Sequence, residues 1–186
     1  MFHQCVFTED PKPYNSFGNG AAMRVSAAGW FAESVDEVKT LTKAITAVTH
    51  NHSAGIKGAE ATAMEIFHAR QGMGKEAIAE LLARDYYPLD FTIDGIRDTY
   101  QFNETCQDTV PQAIKAFLEG EDFEDVIRMA IPCGGDSDTL AAIAGSMAEA
   151  YYGVPEAIEK ESLVYLDDTL MSIVERYRAG YRPGRR

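Results

Sequence analysis

The chain has 186 residues, 46% of them hydrophobic and 25% charged, enough for a single domain with a sizeable core and unlike the composition of a disordered segment. A formal net charge of −12 argues against a nucleic-acid partner, since phosphate contacts need clustered Lys and Arg; a phosphate-bearing ligand must be met by backbone N–H groups or a metal. No stretch approaches the roughly 18 uninterrupted apolar residues of a membrane span, and Met1-Phe2-His3-Gln4-Cys5 lacks the basic-then-apolar order of a signal peptide, so a cytoplasmic protein with no membrane contact is expected.

Residues 1–15 read as an extended lead-in carrying Pro11 and Pro13. Ser16-Phe17-Gly18-Asn19-Gly20 then feeds Ala21-Ala22-Met23-Arg24-Val25, a Gly-rich loop emptying into a short helix. Such a junction offers backbone N–H groups to an anion with the helix dipole in the helpful sense, although an ordinary turn has the same spacing. Ser34 caps a helix whose apolar positions Val35, Val38, Leu41, Ile45 and Val48 follow the helical period. It ends near Thr49-His50-Asn51-His52, where His50 fits a hydrogen-bonding group at a pocket rim better than a zinc ligand.

Ala54 to Gln71 reads as a closely packed helix with small residues on one side, and Lys75 to Arg84 as a short amphipathic one. Residues 85–109 are aromatic and irregular, with one helical turn around Ile93 to Asp98. Helical pattern resumes at Val110, with Pro111 in the first turn, and again through Val126, Ile127, Ala130 and Ile131. From Leu140 the set Leu140, Ile143, Ala144, Met147, Ala148 and Tyr151 is an unbroken helical series whose other face is mostly Ala and Ser, which predicts a helix buried nearly all round. A last helix is predicted from Pro155 to about Arg178, followed by a mobile tail over 179–186. No segment shows period-2 alternation. The expected fold is therefore all-α, a compact orthogonal bundle of short helices around the Leu140 to Tyr151 helix, in one domain spanning 1–186.

The chemistry concentrates in Cys133-Gly134-Gly135-Asp136-Ser137-Asp138-Thr139. Two carboxylates and a hydroxyl behind a glycine pair read as a hard-cation site, with plain helix capping as the competing reading. Side chains two apart on a helix point away from each other, so Asp136 and Asp138 converge only if Asp136 lies at or before the N-cap. No third acidic ligand, central Gly and terminal Glu follow, which excludes an EF-hand loop. Cys5, Cys106 and Cys133 form no CxxC pair and fit free thiols in a reducing compartment.

Ser16 to Arg24, Thr49-His50, Gly134 to Gly145 and Tyr151-Tyr152-Gly153 together resemble, in order and spacing, the ADP-ribosylglycohydrolase family. The resemblance implies an all-helical enzyme that uses two Mg²⁺ or Mn²⁺ ions to hydrolyse the glycosidic bond between ADP-ribose and a protein side chain or related compound. By position it makes Asp136, Asp138 and Thr139 metal ligands. It makes Ser16, Phe17, Gly18, Asn19, Gly20, His50, Gly134 and Gly135 substrate-binding residues, with Phe17 against the adenine. The partner implied is ADP-ribose or an ADP-ribosylated protein. The family's Thr-Asp-Asp metal motif and its acidic catalytic residue, which belong to an N-terminal half, have no counterpart before Ser16, where Thr8-Glu9-Asp10 is displaced and followed by Pro11. No catalytic residue is therefore assigned, and metal is expected to bind weakly or not at all. Two readings stay open: a part of a hydrolase completed by another chain or segment, and a non-catalytic ADP-ribose-binding or relic domain. Loss of covering helices would also leave an apolar face, so a dimer or higher oligomer is expected.

Overall fold

Among the described residues, 7–180 in this computed structural model, every regular element is helical, and the only pairing of extended backbone is an isolated bridge between Gly18 and Thr105. Residues 1–6 of the expected lead-in, Cys5 among them, and residues 181–186 of the expected tail lie outside the described residues. The helices fall into two units, one ending at Tyr152 and one beginning at Gly153.

The first unit contains α1 (Gly20–Met23), α2 (Ser26–Phe31), α3 (Val35–Thr46), α4 (Ser53–Arg70), α5 (Lys75–Asp85), α6 (Ile93–Ile96), α7 (Cys106–Glu119) and α8 (Phe123–Ala130). A 3₁₀ turn, Ile131–Cys133, leads on to α9 (Ser137–Tyr152). Capping sets several of the starts. Ser34 Oγ accepts from Glu37 N–H at 3.2 Å while the Glu37 carboxylate reaches back to Glu33 N–H at 2.7 Å, and Asp122 caps α8 through Asp125 N–H at 2.8 Å.

The centre of this unit differs from the sequence expectation. It is α4, not α9, that is buried nearly all round: Ala61 through Phe67 are buried without interruption, with α2, α3, α5, α7 and α9 against it. Its Ala59, Ala61 and Ala63 let neighbouring backbones approach, and from α2 Gly29 comes so near that a Cβ there would lie 2.6 Å from the Ala63 carbonyl. In α9, Leu140, Ile143, Ala144, Met147 and Ala148 face the core, but Ala142, Glu149 and Tyr151 are exposed. Alanine fits an open face as well as a closed one, so apolar periodicity alone does not separate the two.

The start of α7 is also earlier than predicted, which puts Pro111 in the second turn. Cys106 N–H, one of the donors the helix leaves unpaired, bonds to the Phe17 carbonyl at 3.0 Å. That anchor comes from the Gly-rich loop and is invisible in the local sequence.

In the second unit, the single predicted helix is two, α10 (Glu156–Leu163) and α11 (Asp168–Gly180). The break follows from Asp167, whose carboxylate accepts from Leu170 N–H at 2.8 Å and so starts a new helix. Arg178 and Glu159 form an ion pair between the two. Among the described residues no helix is long and apolar enough to cross a membrane.

Candidate functional site

The loop of residues 16–20 is held by main-chain bonds from both sides. Asn19 N–H donates to Glu104 C=O at 2.7 Å, Phe17 C=O accepts from Cys106 N–H, and Ser16 N–H donates to Thr49 C=O at 3.4 Å. Gly18 N–H turns inward to Ser16 Oγ at 3.3 Å, while Gly18 C=O accepts from the Cys106 thiol at 3.2 Å. Burial pushes that thiol up to about 12, so Cys106 is an uncharged spacer and not a nucleophile. Phe17 is half exposed, its ring 5.3 Å from that of His52.

His50 closes the floor of the loop. Its Nε2 is 3.5 Å from where a Cβ on Gly18 would stand and 3.7 Å from the same point on Gly20, which puts the ring in van der Waals contact with the loop. Arg24 Nη2 lies 2.7 Å from His50 Nδ1 and 2.7 Å from Thr49 Oγ1. A guanidinium can only donate, so Nδ1 accepts and the ring proton sits on Nε2, aimed at the loop. Burial first, and the Arg24 charge second, lower the His50 pKa and keep the ring neutral.

The acidic stretch enters from the other side. Gly134 and Gly135 both have positive φ, 83° and 65°, and Gly134, with ψ of −154°, adopts a backbone conformation essentially confined to glycine as the chain turns into α9. Gly135 is doubly constrained, because a Cβ would meet the Tyr100 ring at 2.6 Å. Asp136 immediately precedes α9, and its carbonyl takes the first helical bond from Leu140 N–H at 2.9 Å. Asp138 is exposed; a hydrogen bond from Thr139 N–H at 2.9 Å holds its carboxyl below the usual range. Thr139 is buried beneath them.

The two halves meet at Asn19. Its Nδ2 donates to Asp136 Oδ2 at 2.6 Å and to Thr109 Oγ1 at 3.2 Å. Gly-rich loop, His50 and acidic pair therefore form one site, although the Asn19–Asp136 bond joins residues 117 apart in sequence. Arg24, at the end of the block that carries the resemblance, and Thr109 and Tyr100 complete it, the last two without a signal of their own in the sequence: a buried threonine or a packed tyrosine declares its role only through its partner. A cleft of about 460 Å³, lined by Tyr100, Asn103, Asp108 and Gln112 among others, borders Gly135.

The donor set is one that hard cations prefer, carboxylates and a hydroxyl. Its number is small. Among the described residues no three His, Cys, Asp or Glu side chains gather as a metal site, and Cys133 is a buried thiol raised above its usual pKa by desolvation. Asp136, Asp138 and Thr139 supply oxygen donors of the kind a hard cation takes, but too few for two tightly held ions.

Residues 2–185 match the family model described as ADP-ribosylglycohydrolase. The chain belongs to the ADP-ribosylglycohydrolase family. It is 27% identical to the ADP-ribosylhydrolase ARH3 of Gallus gallus, over 84% of this chain and 56% of that protein. It is 28% identical to the ADP-ribosylarginine hydrolase Tri1 of Pseudomonas putida (strain GB-1), over 77% and 42%, and 27% identical to the ADP-ribosyl-[dinitrogen reductase] glycohydrolase of Rhodospirillum rubrum, over 80% and 51%. A solved structure of an ADP-ribosylglycohydrolase-related protein complex superimposes with a TM-score of 0.67 at 28% identity, covering 83% of this chain and 58% of that one. The chain thus spans about half the length of the curated relatives it matches.

Proposed function

We propose that this chain provides the ADP-ribose-binding and cation-binding face of an ADP-ribosylglycohydrolase. The 2.6 Å bond from Asn19 to Asp136 is the observation that supports the reading, because it joins the Gly-rich loop to the acidic stretch, the two segments whose chemistry suits an anion and a hard cation. An acidic protein that handles a diphosphate needs both. Residues 16–20 would take the diphosphate and adenosine end, Phe17 the adenine, and His50 Nε2–H a ligand oxygen. Asp136, Asp138 and Thr139 would hold one Mg²⁺ or Mn²⁺, which when bound supplies positive charge to the diphosphate and the scissile region. The reaction class is hydrolysis of the glycosidic bond of ADP-ribose on a protein side chain.

One observation favours a second reading, an ADP-ribose-binding module without turnover: among the described residues no three His, Cys, Asp or Glu side chains gather as a metal site. Calorimetry with ADP-ribose in Mg²⁺ and in EDTA, together with release of ADP-ribose from arginine- and serine-linked substrates, separates the two. Cation-dependent release supports the hydrolase, and cation-dependent binding without release supports the module. Absence of ADP-ribose binding in Mg²⁺ refutes both.

A further inference from the structure

We infer that Asn19 is a positioning residue for the cation site, the group that fixes which oxygen of Asp136 is presented to the metal. The inference rests on the reading of Asp136, Asp138 and Thr139 as cation ligands and extends it to a residue in the other half of the site.

The hydrogen bonds around Asn19 have only one consistent direction. Asp136 as a carboxylate can only accept, so the amide nitrogen must face it. Thr109, fully buried, donates its hydroxyl proton to Asn103 C=O at 3.3 Å, which leaves its oxygen to accept the second Asn19 N–H. The backbone of Asn19 is fixed independently by the bond to Glu104 C=O. Asn19 is 6% exposed, so water competes poorly for these contacts. The amide is thereby clamped by Thr109 and, by holding Asp136 Oδ2, fixes the orientation of that carboxylate.

The choice of an amide is chemically specific. A neutral donor orients a carboxylate without cancelling its charge, whereas Lys or Arg at the same place would compete with the cation. A ligating carboxylate that is hydrogen-bonded from behind has less freedom to lose when the ion arrives, and removal of such partners typically costs about 10–100-fold in metal affinity.

The test measures Mn²⁺ alone, by electron paramagnetic resonance of free Mn²⁺ titrated with the full chain. Wild type binds, and N19A binds about 10–100-fold more weakly while its thermal melt stays cooperative. T109V, which keeps the shape of the side chain and removes the clamp on the amide, weakens binding in the same direction by a smaller factor. A folded N19A with the Mn²⁺ affinity of wild type overturns the inference and leaves the cation reading intact. If N19A does not fold, T109V decides, and unchanged affinity in T109V overturns it. A wild-type chain that binds no Mn²⁺ overturns the cation reading itself and the inference with it.

Discussion

Replacing Glu65 by methionine should stabilise the protein, and more so at high pH. Glu65 sits in α4 with no exposure, and neither carboxyl oxygen has a hydrogen-bond partner. The one cation acting on it, Lys75, is committed elsewhere: Nζ donates to the carbonyls of Leu118 and Gly120 and lies 5.0 Å from the ring centres of Phe117 and Tyr152. Burial therefore wins over the Lys75 charge and raises the Glu65 pKa well above its ordinary 4.5. Burial favours the neutral acid. Leaving such a polar group unpartnered costs about 1–3 kcal/mol. A pH-dependent part adds to it, because the unfolded chain releases the proton above pH 4.5 and the folded chain keeps it. The stability that Glu65 permits is thus complete below pH 4.5 and is lost as pH rises through the folded pKa, by up to about 1.4 kcal/mol per pH unit. Methionine is of similar length and volume and removes both parts. Urea titrations at pH 5 and pH 8 should show E65M more stable than wild type at both, with the larger gap at pH 8, and E65Q should recover only the pH-dependent part. An E65M protein less stable than wild type, or a gap that does not widen with pH, refutes the argument and points to an internal water or an unseen partner on the carboxyl.

Three further outcomes are expected. G134A should destabilise by about 1–3 kcal/mol through backbone strain alone, since φ of 83° with ψ of −154° is confined to glycine and its Cβ meets nothing within 4 Å, whereas G135A should add displacement of the Tyr100 ring, 2.6 Å from its Cβ, to the strain of φ 65°; paired chemical denaturation measures both. His50 should show the Nε2–H neutral tautomer in ¹⁵N spectra at pH 7, and the stability it confers should be present above 6.5 and lost as pH falls through its lower folded value; an imidazolium at pH 7 would contradict the assigned Arg24 bond. S34A should cost about 1 kcal/mol by loss of the α3 cap, read as a fall of about 2–4 °C in Tm.

What could be read from the sequence was what is encoded locally. The glycine pair before Asp136 and the i, i+3, i+4 series from Leu140 specify a turn and a helix with few alternatives, and Ser34 with Glu37 three residues on specifies a helix start. The family resemblance likewise rested on contiguous blocks. What escaped was set by distant partners. The helix Ser26–Phe31 has weak periodicity and exists where Gly29 lets it lie against α4, and α7 begins at Cys106 because a carbonyl in another segment receives its N–H. Glu65 lies within a segment read as a helix, yet nothing in its neighbours announces complete burial. In the candidate site, the types of residue were legible and their meeting was not: Asn19 and Asp136 are joined across 117 positions.

The manner in which the loop of residues 16–20 is held bears on which substitutions it can absorb. The bonds that shape it run between main-chain atoms of Phe17, Asn19, Glu104 and Cys106, so they would persist through substitution of the half-exposed Phe17 ring or the Glu104 side chain. Those two positions can drift while the cradle stays in place. On the reading proposed above, changes at those two positions alter what lines the loop and leave its path untouched.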